Sequence, residues 1–112
     1  MAHPKRRRIM AEIKQLGAQI AKEFKPEKII LFGSHAYGIP HEGSDIDLLV
    51  IMPYEGGHAQ QAIKILNTLD VWLPVDLLVR TPEEVKKRLD MGDFFLKEIT
   101  SQGKVLYETR HA

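Results

Sequence analysis

Two short apolar runs, Ile29-Ile30-Leu31-Phe32 and Leu48-Leu49-Val50-Ile51, constrain this chain more than any other feature. A brief run of large aliphatic residues, several of them β-branched, reads as a strand buried on both faces. The first run begins at Lys28 and stops at Gly33; the second extends over Asp45 to Met52. Val75 to Val79, preceded by Pro74, predicts a third strand, and Lys104 to Tyr107, introduced by Gly103, a short fourth.

The segments between these runs have helical spacing. Ile9, Ile13, Leu16, Ile20 and Phe24 form one apolar stripe, which predicts a helix from Pro4 or Lys5 to Glu23. Ser34 to Tyr37 suits a short helix closed by Gly38. Ala62, Ile65, Leu66 and Leu69 place another helix over His58 to Leu69. Thr81-Pro82-Glu83-Glu84 is a helix start, with a threonine cap, proline in the first turn and acids at the positive end. A last short helix is expected over Asp93 to Thr100. The resulting order is an α/β layout, a central sheet with helices packed on it. At 112 residues the chain suits one domain spanning 1–112.

Composition excludes several function classes. The formal net charge of +1 gives no global reason to expect a nucleic-acid or membrane partner. Lys5 to Arg8 lack interleaved aromatics and read as a solvated helix start. Cysteine is absent, so there is no disulfide framework, thiolate metal site or thiol nucleophile. His3, His35, His41, His58 and His111 show no zinc-ligand spacing. No segment approaches the ~18 apolar residues that span a bilayer, and no apolar run follows the basic start, so a soluble cytoplasmic protein is expected. Trp72 reads as a core residue or a partner-facing anchor, with the core preferred.

Three aspartates break the apolar pattern. Asp45 and Asp47 are two apart in the second strand, so their side chains are expected on one face with Cα atoms ~6.6 Å apart. Asp76 sits inside Val75-Asp76-Leu77-Leu78-Val79, where a buried carboxylate must be paired or metal-bound. Each has an ordinary reading alone: Asp45 as a strand-end residue, Asp47 paired with a lysine or arginine, Asp76 accepting from a loop. Together, three hard oxygen donors point to magnesium or manganese. Gly33-Ser34 adds a turn where a phosphate can approach the backbone and the Ser34 hydroxyl can donate to it.

Gly33-Ser34, ten intervening residues and Asp45-Ile46-Asp47 together resemble the signature of the DNA polymerase β-type nucleotidyltransferases. Leu31 to Gly38, followed by Gly43 to Val50, is similar to the minimal nucleotidyltransferases, the MNT group. The likeness extends to the Pro74-Val75-Asp76 strand, the Thr81-Pro82-Glu83-Glu84 start and the closing Val105-Leu106-Tyr107-Glu108. It implies a polymerase β-like fold with a small mixed sheet. By this resemblance Asp45, Asp47 and Asp76 are catalytic and hold two Mg²⁺ ions, while Gly33 and Ser34 grip the phosphates of a nucleoside triphosphate, ATP being expected. The activity implied is transfer of AMP to a hydroxyl of a partner, in this group a tyrosine of a HEPN-domain toxin, with the chain acting as antitoxin. The rival reading is an antitoxin with a vestigial site that neutralises its toxin by contact alone. One position departs from the group: arginine often follows Gly-Ser, and here it is His35. If that arginine holds the triphosphate, histidine implies weaker or pH-sensitive nucleotide binding, and the ordinary reading is an exposed loop residue without a role.

Overall fold

A computed structural model describes residues 4–40, 43–70 and 73–109. The elements follow in the order α1 (Pro4–Phe24), β1 (Lys28–Phe32), a single 3-10 turn (Gly33–His35), β2 (Ile46–Ile51), α2 (His58–Thr68), β3 (Val75–Arg80), α3 (Pro82–Asp90), α4 (Phe94–Gln102) and β4 (Lys104–Glu108). The four strands form one mixed sheet in the order β3-β2-β1-β4. β1 is antiparallel to both of its neighbours. β2 and β3 run parallel, joined through α2. Trp72 and His41 lie outside the described residues, as do His3 and His111.

Helix boundaries follow local chemistry. Thr81 caps α3, its hydroxyl accepting from the Glu84 amide at 3.2 Å, with Pro82 in the first turn. Asp93 caps α4, its carboxylate accepting from the Leu96 amide at 3.1 Å. Both devices satisfy amides that the first helical turn leaves without partners. Two expected boundaries shift. The Ser34–Tyr37 helix shrinks to the turn at Gly33–His35, where the Ala36 and Tyr37 amides both donate to the Gly33 carbonyl at 3.0 and 3.1 Å. β2 begins at Ile46, whose amide donates to the Pro74 carbonyl at 2.7 Å, so Asp45 stands one residue outside the strand.

Alternation along the strands divides the core between the two faces of the sheet. On one face, Ile29 and Leu31 of β1, Ile46, Leu48 and Val50 of β2 and Val79 of β3 pack against Ile13, Leu16 and Ile20 of α1 and Ile65 of α2. On the other, Ile30 and Phe32 of β1 and Leu49 and Ile51 of β2 pack against Val85 of α3 and Leu96 and Ile99 of α4. Every β2 residue except Asp47 is buried, because both faces of this central strand are covered. Burial of each such side chain contributes about 1.5–3 kcal/mol.

Candidate active site

β2 and β3 pair in register, with Asp47 directly beside Asp76. Across the other edge of β2, Asp47 lies opposite Phe32 of β1. Phe32, Asp47 and Asp76 therefore form one row across three strands, on the face that α3 and α4 cover further along. Neighbouring strands lie about 4.8 Å apart, so the two carboxylates start from adjacent Cα atoms on one face. Asp45 immediately precedes β2 and is exposed. Asp47 is half-buried and Asp76 exposed.

The exposure of Asp76 corrects the expectation of a carboxylate enclosed in an apolar strand. β3 is an edge strand, and its burial pattern contains one fully buried residue, Val79. Asp76 lies near the start of this edge strand with its carboxylate exposed to water. Asp45 is likewise corrected from a strand residue to one in the approach to the strand.

Asp47 carries the electrostatic signature of the row. Its carboxyl is raised above the ordinary value of 3.8, first by burial, then by repulsion from Asp76 and from Asp45, with His35 pulling the other way. Among the described residues none of the three aspartates has a cationic side chain within salt-bridge distance. No lysine or arginine among the described residues therefore partners Asp47.

The Gly33 turn is built around Asp47. Gly33 has φ +74°, a conformation that favours glycine. A Cβ there would also collide with the Asp47 carboxylate oxygen. Gly38 folds back over the turn, where a Cβ would lie 2.9 Å from the Ser34 Cα. Ser34 is half-buried at the end of β1, beside the carboxylate row. His35 is also half-buried, not the exposed loop residue expected from sequence, and its Nε2 lies 3.3 Å from the Ser44 carbonyl. Phe95 of α4 packs edge-on against Phe32, with ring centroids 5.8 Å apart and planes at 85°. The roles of Gly38, His35 and Phe95 in shaping this corner depend on contacts across the fold. In sequence, the position of His35 directly after Ser34 and Gly38 as the closing residue hinted at two of them, and nothing singled out Phe95.

The donor set suits a hard divalent cation: carboxylate oxygens on adjacent strands, one half-buried and repelled by two others. Among the described residues no three Asp, Glu, His or Cys side chains close into a formed ligand cluster. Asp45 and Asp76 are exposed to solvent at the edges of the row. A cavity of about 340 Å³ lies at the opposite end of the sheet, between Lys28, Ile51, Val85, Lys86, Leu89 and Glu108. Among the described residues no helix is long and apolar enough to cross a membrane.

The fold is similar to those of known proteins. A putative nucleotidyltransferase from Sulfolobus solfataricus, solved by crystallography, shares 24% identity at a TM-score of 0.59, over 73% of this chain and 75% of that one. A toxin–antitoxin crystallised with AMP-PNP shares 26% identity at a TM-score of 0.55, over 87% of this chain and 74% of that one. A mutant of the toxin–antitoxin MntA–HpeT shares 24% identity at a TM-score of 0.53, with the same coverage of 87% and 74%. No curated protein matches the chain significantly. The family model described as polymerase beta, nucleotidyltransferase matches residues 14–112, so this chain belongs to the polymerase beta nucleotidyltransferase family.

Proposed function

We propose that the chain is a magnesium-dependent nucleotidyltransferase that moves AMP from ATP to a hydroxyl of a protein partner, a HEPN-domain toxin whose tyrosine is the acceptor, and so acts as an antitoxin. The observation that carries this reading is the in-register pairing of Asp47 with Asp76 beside the Gly33–Ser34 turn. The toxin–antitoxin of similar fold crystallised with AMP-PNP supports both an adenine nucleotide and a toxin partner.

In this reading Asp45, Asp47 and Asp76 hold two Mg²⁺ ions. When bound, Mg²⁺ would supply Lewis-acid chemistry there, lowering the pKa of the acceptor hydroxyl and neutralising the leaving phosphates. The Ser34 hydroxyl and the amides of the turn donate to the β- and γ-phosphates. Gly33 lets those phosphates approach the backbone next to Asp47 without a side chain between them. Asp76, exposed on the edge strand, orients the acceptor hydroxyl and takes its proton. A bond forms between the acceptor oxygen and the α-phosphorus, the bond from the α-phosphorus to the bridging oxygen breaks, and pyrophosphate leaves. The exposure of Asp76 on the edge strand suits an acceptor presented by another protein, because the tyrosine of a folded partner needs an accessible edge.

The experiment mixes the chain with Mg²⁺, labelled ATP and a HEPN partner, and follows label on the partner by intact mass. A mass gain of one AMP on a partner tyrosine supports the proposal. An unlabelled partner whose RNase activity is still inhibited would instead establish an antitoxin that acts by contact alone.

A further inference from the structure

We infer that His35 is a positioning residue that sets the gap between the Gly33–Ser34 turn and the carboxylate strand. The inference rests on the proposed nucleotide site and adds a part to it that the aspartates and the turn do not supply.

The chain leaves the sheet after Phe32 and re-enters it at Ile46. The two halves of the site stand at the ends of this excursion, Ser34 on one side and Asp45 with Asp47 on the other. The first ladder bond on the return is from the Ile46 amide to Pro74, so Ser44 and Asp45 lie outside the ladder. The Phe32–Asp47 pairing already closes the excursion at its ends, and a cross-link inside it further restricts the loop that remains. His35 supplies such a link, with Nε2 lying 3.3 Å from the Ser44 carbonyl. A carbonyl only accepts, so His35 Nε2 carries the proton and donates. The imidazole is half-buried and close enough to Asp47 to act on its carboxyl. Its ring thus spans from the turn that would hold the phosphates to the residue next to Asp45. The 3-10 turn aims it there: the bonds from the Ala36 and Tyr37 amides to Gly33 fix the backbone on either side of His35.

A positioning residue of this kind changes how well the site is formed before nucleotide arrives, not the chemical step itself. The test compares His35→Ala and His35→Gln with the full wild-type chain. Glutamine is chosen because its amide nitrogen can stand where Nε2 stood. Hydrogen exchange at the Ser44 and Asp45 amides is read in the nucleotide-free protein, and affinity for MgATP and for magnesium tripolyphosphate by calorimetry. In His35→Ala, exchange at these amides is expected to quicken about tenfold, with exchange in α1 and β4 and the melting temperature unchanged. Affinity for both ligands falls about tenfold, and where transfer is followed the loss appears in KM rather than kcat. His35→Gln recovers most of both losses.

Unchanged loop exchange in His35→Ala overturns the inference. So does faster exchange with unaltered ligand affinity, or a glutamine variant as impaired as the alanine one. A wild-type chain that binds neither MgATP nor magnesium tripolyphosphate overturns the nucleotide reading itself, and the inference with it. Failure of the inference alone leaves wild-type binding intact.

Discussion

The two faces of the sheet are built from the same strands and do different things. The face under α1 and α2 is apolar along its whole length, from Ile46 through Leu48 to Val50 on β2. The face under α3 and α4 is apolar where those helices lie, at Ile30, Phe32, Leu49 and Ile51, and becomes acidic beside Phe32 in the same row, at Asp47 and Asp76. Adjacent residues of one strand, Asp47 and Leu48, thus belong to different environments, one half-buried and the other fully buried. The contrast teaches that the site exists because helical cover stops short on one face, while the opposite face continues beneath it and keeps the strands in place.

Breaking the two faces separately tests this division. The largest expected effect is from Asp47→Ala: transfer falls at least ~10³-fold, about 4 kcal/mol of transition-state stabilisation, with an unchanged circular-dichroism spectrum. Full activity in that variant sinks the assignment of the acidic face. Leu48→Ala, one residue along and on the other face, should instead cost about 2–5 kcal/mol of stability through a cavity, measured by denaturant unfolding. The folded fraction should keep its activity, and a selective loss of catalysis would show that the faces are not separable.

Gly33→Ala sharpens the comparison at the border between the turn and the row. The positive φ and the collision with Asp47 together predict a loss of about 1–3 kcal/mol in unfolding free energy, accompanied by weaker MgATP binding. A variant that binds MgATP normally would show that the close approach is incidental.

The smallest effect concerns the repulsion at Asp47. Its carboxyl is raised above 3.8 by burial and by Asp76 and Asp45, so the folded chain holds that proton more firmly than the unfolded chain. The associated stability is present in full below 3.8 and is lost as pH rises through the elevated folded value. At neutral pH the ionised group therefore opposes folding, and Asp47→Asn should raise the melting temperature by a few degrees without divalent ions. Added Mg²⁺ should narrow that difference by stabilising the wild type more than the variant. Thermal melts of both proteins with and without Mg²⁺ measure it, and a variant that melts lower under all conditions contradicts the repulsion.

Much of this was legible in the residues, and the reason differs between elements. The α1 stripe of Ile13, Leu16 and Ile20 was readable because helical period is local, and the structure buries all three. The Thr81 helix start was readable because a cap and its amide are three residues apart, whereas Asp93, expected as the first residue of its helix, proved to be the cap. Asp76 was assigned correctly to β3 but wrongly to an enclosed setting, because its exposure depends on where α3 and α4 end. His35 was read as exposed because its partner, the Ser44 carbonyl, lies nine residues away across a loop.

The sequence by itself determined the order of elements, the apolar strands and the presence of three aspartates at strand starts, since each follows from spacing within a few residues. Only the tertiary structure decided that Asp47 stands beside Asp76, that Gly33 must leave room for Asp47, and that Asp76 faces water. These depend on strand order and register, which are set by non-local pairing of β2 with β3 and of β1 with β2. No local pattern encodes that pairing, because a strand's own alternation says which residues share a face but not which neighbour will lie beside them.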